Sequence, residues 1–159
     1  MKKLLLTFVL VGLLLMTGCT KVAEGDYKEG TYFGYVEEAG YDGTVTVTTA
    51  AIYVDENGMI KSVFIDSTYK SPDSKLTTKK ALGDDYGMKG TSADRGVIPG
   101  GAEWYEQVAN LEKKIVEEQG LDWIEWKDEG KTTTDSVTGV TINISAMYEA
   151  VQKALTQAK

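Results

Sequence analysis

The sequence predicts an α+β fold, on three observations. Gly30 to Asp66 is dense in Thr, Val, Ile and Tyr and is punctuated by glycine turns, as antiparallel strands are. Two later stretches carry apolar residues at helical spacing. Strands and helices are grouped rather than alternating, and no internal repeat is present, which favours a segregated α+β domain over a parallel α/β one.

The elements follow in order. Thr31-Tyr32-Phe33-Gly34-Tyr35 reads as a first strand, and Gly40 to Gly43 as a turn. In Thr44-Val45-Thr46-Val47-Thr48 the valines alternate with threonines, the pattern of a half-buried strand. Asp55-Glu56-Asn57-Gly58 is a turn, and Met59 to Ile65 returns to complete an antiparallel hairpin. Ser71 to Ala102 holds both prolines and many glycines without a sustained period, and reads as a long loop, functional or merely connecting. Trp104, Val108, Leu111 and Ile115 form the stripe of a helix that Gly120 is placed to end. Trp123 to Trp126 reads as a short strand, its tryptophans as core or cover. A last helix spans about Ile144 to Gln157, burying Met147, Ala150, Val151, Ala154 and Leu155. The C-terminal half is therefore two helices around a short strand.

The N-terminus has the form of an export signal. Lys2 and Lys3 precede an uncharged apolar run, Leu4 to Leu15, too short to span a bilayer core of ~30 Å as a helix. Leu15-Met16-Thr17-Gly18-Cys19 resembles a lipobox, in which the cysteine takes a thioether-linked diacylglycerol; the other reading is an ordinary signal peptide that leaves a free thiol. Cys19 is the only cysteine, so the domain has no disulfide to rely on. The chain divides into a signal peptide over 1–18, a polar tether over 19–29 and one domain over 30–159. Loss of Lys2 and Lys3 takes the net charge from −7 to −9, a balance that repels nucleic acid and anionic surfaces. Histidine is absent, which excludes a Ser-His or Cys-His catalytic pair and the usual zinc site.

The segment Thr133-Thr134-Asp135-Ser136-Val137-Thr138-Gly139-Val140-Thr141-Ile142 offers small side chains, hydroxyls and backbone N–H groups ahead of a helix. That composition suits a phosphate cradle. It suits a helix cap equally well. The segment resembles the flavinylation motif of the FMN-binding domain family, roughly Asp-x-x-Ser/Thr-Gly-Ala-Ser/Thr. Asp135, Thr138, Gly139 and Thr141 fall on its defining positions, and Val140 stands where that family usually has alanine. The opening from Glu29-Gly30-Thr31-Tyr32 to Glu56-Asn57-Gly58-Met59-Ile60 and the closing stretch also look like that family. The middle, with Tyr86-Gly87-Met88-Lys89, Glu103-Trp104-Tyr105-Glu106-Gln107 and the acidic loop, looks like its Gram-positive lipoprotein branch associated with extracellular electron transfer.

The resemblance implies FMN joined through its phosphate to Thr141 by a separate Mg²⁺-dependent flavin transferase that uses FAD as donor. Asp135 would orient the motif or approach the transferase's metal, and Tyr86 and Met88 would lie against the flavin ring. It further implies an electron carrier rather than a substrate-specific enzyme, held by membrane lipid through Cys19 on the extracytoplasmic face. A membrane quinol oxidoreductase system would supply its electrons. The competing expectation is a lipoprotein of the same fold that carries no flavin and serves as a binding or structural module.

Overall fold

A computed structural model describes residues 24–40, 43–70 and 75–159. The signal peptide over 1–18, Cys19, the first part of the tether and part of the Gly40–Gly43 turn lie outside the described residues, as do residues 71–74.

The fold is α+β. Strands β1 (Gly30–Ala39), β2 (Val45–Val54), β3 (Ile60–Lys70) and β4 (Leu76–Thr78) form one antiparallel sheet in chain order. The predicted hairpin is β2–β3. Asp55 Oδ1 accepts the N–H groups of Asn57 and Met59, each at 3.0 Å, and Gly58 takes φ +75°. Two long helices, α3 (Trp104–Glu118) and α4 (Ser145–Gln157), cover one face of this sheet. Ala50, Ile52, Val54 and Ile65 are fully buried beneath them. The predicted stripes of both helices are the buried ones. At Gly34 of β1 the approach of α4 is so close that a Cβ would stand 2.0 Å from the Ala150 carbonyl oxygen, so only glycine fits.

Several expectations change. The stretch from Ser71 to Ala102 is not structureless: β4 is followed by α1 (Lys79–Leu82), a 3₁₀ turn (Gly83–Tyr86) and α2 (Met88–Asp94). These pieces are too short for a period to register. They are fixed locally instead, as when Thr78 Oγ1 accepts the Ala81 N–H. Trp123 to Trp126 forms no strand, only a single bridge between Trp126 and Thr134. Side chains take over the pairing there: Glu125 N–H donates to Ser136 Oγ, and Thr134 Oγ1 donates to the Glu125 carbonyl. Helix α3 ends at Gln119, not Gly120. Gln119 adopts φ +57°, and its amide bonds both the N–H and the carbonyl of Ile60. Val45 is exposed while Thr48 is buried, so this end of β2 turns its valines out and its threonines in.

The ends of the molecule differ. Residues 24–28, read as tether, are docked: Gly25 N–H donates to the Asn57 carbonyl at 2.8 Å and Lys28 N–H to the Ala158 carbonyl at 2.7 Å. The chain therefore enters beside the β2–β3 turn and the C-terminal ends of α3 and α4. The segment from Asp135 to Asn143 ends at the other pole, where α4 begins.

Candidate functional site

The motif is a loop pinned from both sides. Its upstream hinge is Asp128, whose carboxylate accepts the N–H groups and hydroxyls of both Thr132 and Thr133. These bonds, the Thr133 N–H foremost, hold its pKa down at about 2. The Thr132 carbonyl in turn accepts the Ile144 N–H at 2.8 Å, fixing the entry to α4. Within the loop Val137 and Val140 enter the core. Gly139 lies at φ +77°, and a Cβ there would stand 2.9 Å from Asn110 Nδ2. Two buried valines and one obligatory glycine therefore set which residues of the loop face outward.

Thr141 is half-buried, and both its backbone N–H and its Oγ1 donate to Gln107 Oε1, at 2.9 and 3.2 Å. Gln107 is fully buried on α3. Its Nε2 donates to the Ala102 carbonyl at 3.4 Å and reaches the Met88 sulfur at 3.7 Å. One amide thus ties Thr141 to Met88. The Glu103 carboxylate, also buried, accepts the N–H groups of Met88 and Lys89 at 2.9 Å each, securing α2 to the start of α3. Tyr86 stands edge-on to Tyr69, ring centroids 5.3 Å apart.

Lys79 completes the neighbourhood. Its ammonium lies 5.4 Å from the centre of the Tyr86 ring and 5.1 Å from that of Trp104. Partial burial pulls its pKa below the ordinary lysine value, against the opposing pull of Glu38 and Asp66. Lys79 also lines a recess of about 150 Å³ at the inner end of the sheet, with Thr46, Thr48, Ser67, Trp104 and Asn143 among its walls. Asn143 lies two residues beyond Thr141.

The other predicted positions are placed as follows. Thr138 is exposed. Asp135 is exposed and paired with Lys127, and it lines a separate shallow recess with Glu125, Trp126 and Ser136. The Val140 side chain is buried, so only its backbone faces the loop surface. Thr141 does not sit on a helix N-terminus. Asn143 Oδ1 accepts the Ser145 N–H at 2.9 Å, so the first turn of α4 has its own side-chain partner. A groove of about 640 Å³ along the free edge of β1, between Phe33, Tyr35, Lys153 and Gln157, belongs to neither recess.

No family model, curated protein or solved structure matches the chain. In the sequence Glu103 and Gln107 are only letters of the resembling middle segment, with no role assigned, and Lys79 and Asn143 are missed. Gln107 carried a signal: a polar side chain one turn on from Trp104, inside an apolar stripe. Lys79 carried none, because its place depends on how the short helices fold back. Among the described residues, no group of three or more metal-ligating side chains is present.

Proposed function

We propose that this chain is a lipid-anchored, extracytoplasmic electron carrier that holds FMN through a phosphoester on Thr141. The observation that carries the reading is Thr141 itself. It is the last hydroxyl of Asp135-x-x-Thr138-Gly139-x-Thr141, partly open to solvent and backed by a buried amide. Esterification removes the Oγ1 hydrogen and with it one bond to Gln107. The Thr141 N–H keeps the other, so the loop stays in place.

The residues suit a flavin. At about 150 Å³ the recess falls below the ~300–1,000 Å³ of enclosing ligand sites, so a ring would lie across its mouth. The recess offers the Lys79 ammonium, the Asn143 amide and the hydroxyls of Thr46, Thr48 and Ser67, beside the Glu38 carboxylate, with Trp104 and Met147 as apolar walls. When bound, FMN supplies one- and two-electron redox chemistry. The protein's own part is to hold it at the outer pole and to set its electrostatics, which Lys79 and Glu38 shape with opposite charges.

Attachment needs a separate transferase. The Thr141 oxygen bonds to the FMN-side phosphorus of FAD, the pyrophosphate P–O bond breaks, and AMP leaves with that electron pair. The hydroxyl proton passes to the transferase site, where Mg²⁺ offsets phosphate charge. A membrane quinol oxidoreductase is the proposed source of electrons, and extracellular acceptors their destination.

The test is intact mass after co-production with an active flavin transferase. Wild type gains the mass of FMN less one water and gives a fluorescent band on a denaturing gel. Thr141→Ala loses both signals and stays folded, Thr141→Ser keeps flavin, and Thr138→Ala behaves as wild type. Wild type that takes up no flavin, or Thr141→Ala that still carries it, ends the reading in favour of a flavin-free binding module.

A further inference from the structure

Seven large apolar side chains are exposed among the described residues, and six of them share one surface. Phe33, Tyr35, Val45, Tyr53, Phe64 and Leu76 all stand on the sheet face opposite α3 and α4; Val97 is the exception. Clustering of this kind marks a surface that meets something apolar. Phe33, Ala51 and Phe64 fall in one row across β1, β2 and β3. Two half-exposed rings, at 53 % and 52 %, therefore flank a single methyl group and leave a shallow apolar slot. In the next row Tyr53 stands between Thr31 and Ser62.

Charge and chain length say what covers it. Residues 103–135, which run through α3 and the loops after it, hold ten acidic against four basic side chains. Residues 30–80, which build the sheet, hold seven against five. On the aromatic face the Asp66 carboxylate is taken up by the N–H groups of Ser67 and Lys80. The Lys80 ammonium sits 4.1 Å from the centre of the Phe64 ring and is ion-paired with Glu112 of α3, while Glu37 and Lys70, both exposed, carry opposite charges on this face. The sheet side is thus the less acidic one, the side an anionic surface repels least. The described chain begins at Glu24, next to the β2–β3 turn, and five residue steps from there to Cys19 span at most about 18 Å. A domain on so short a lead cannot leave the bilayer that holds Cys19.

We infer that the outer face of the sheet rests on the membrane, with Phe33, Tyr35, Tyr53 and Phe64 entering the headgroup layer. Tyr35 and Tyr53, aromatic with one polar end, settle at that depth, and Phe33 and Phe64 add apolar area beside them. The inference rests on the proposed lipid at Cys19 and not on the flavin. A second copy of the chain is the other occupant such a face could take, and the short lead to the bilayer favours the membrane over it.

The test uses the lipidated chain in vesicles of phosphatidylcholine and phosphatidylglycerol. With Cys19 acylated, a cysteine introduced at Thr31, Ser62 or Lys113 is the only free thiol and takes a nitroxide label. Labels at Thr31→Cys and Ser62→Cys should meet oxygen often and a water-soluble nickel chelate rarely. The label at Lys113→Cys, on the exposed side of α3, should do the reverse. Adding Phe33→Ser with Phe64→Ser should return the sheet labels to the Lys113 pattern. Equal access of the chelate to all three positions overturns the inference while leaving the anchor intact. Low access of both reagents at the sheet, with dipolar broadening between labels, overturns it in favour of a second copy. Protein that fails to float with the vesicles overturns the anchor, and the inference with it.

Discussion

Gln107 occupies a position where the spacing of Trp104, Val108 and Leu111 calls for an apolar side chain. A fully buried amide is tolerated only when its polar atoms are satisfied, and here they serve three different segments. Gln107→Leu keeps the volume and removes the bonds. The Thr141 N–H then loses its acceptor, at a cost of about 1–3 kcal/mol. The expected outcome is a lower denaturation midpoint with an unchanged m-value, and faster hydrogen exchange at the Thr141 amide. Unchanged exchange at Thr141 would mean that the loop is held by Val137 and Val140 alone. Val140 itself illustrates a limit of motif reading: as a letter it is a departure beside the acceptor threonine, and in space it is a core residue.

Two elements make sharper claims. The loop from Asp128 to Thr134 hangs on one carboxylate whose folded pKa, about 2, lies below the ordinary 3.8. Its contribution is therefore complete above 3.8 and is lost as pH falls towards about 2. Amide protection at Thr132 and Thr133 should follow that window, and Asp128→Asn should lower it above the window as well. Protection that ignores both changes would contradict the hinge. The seam between β1 and α4 depends on Gly34. Gly34→Ala drives a methyl into the backbone of Ala150 and Ala154, neither of which can turn aside. Overpacking of this kind costs roughly 1–3 kcal/mol or more, to be read as a drop in urea midpoint.

The same elements show what could be read beforehand. The β2–β3 hairpin and both helix stripes were legible because period and burial coincide in them. The four short pieces between Leu76 and Asp94 were not, since each is fixed by contacts rather than by its own pattern. The valines of β2 left their face open: alternation gives two faces without saying which one the helices take. The motif positions were visible as letters. Their backing by Gln107 and the neighbouring Lys79 belong to tertiary structure.

At the scale of the whole molecule, the entry of the chain and the Thr141 loop lie at opposite ends of α4, thirteen residues or about 20 Å apart. With a lipid on Cys19 the domain becomes a lever, its fulcrum at the β2–β3 turn and its working tip at Thr141. Lifted off the sheet face, the tip points outwards. Laid on that face, the tip swings down beside the bilayer, with the sheet between lipid and helices. If the proposed flavin is on Thr141, a single hinged body would meet a reductant at the membrane and an oxidant beyond it while staying anchored. The stroke is set by the length of α4.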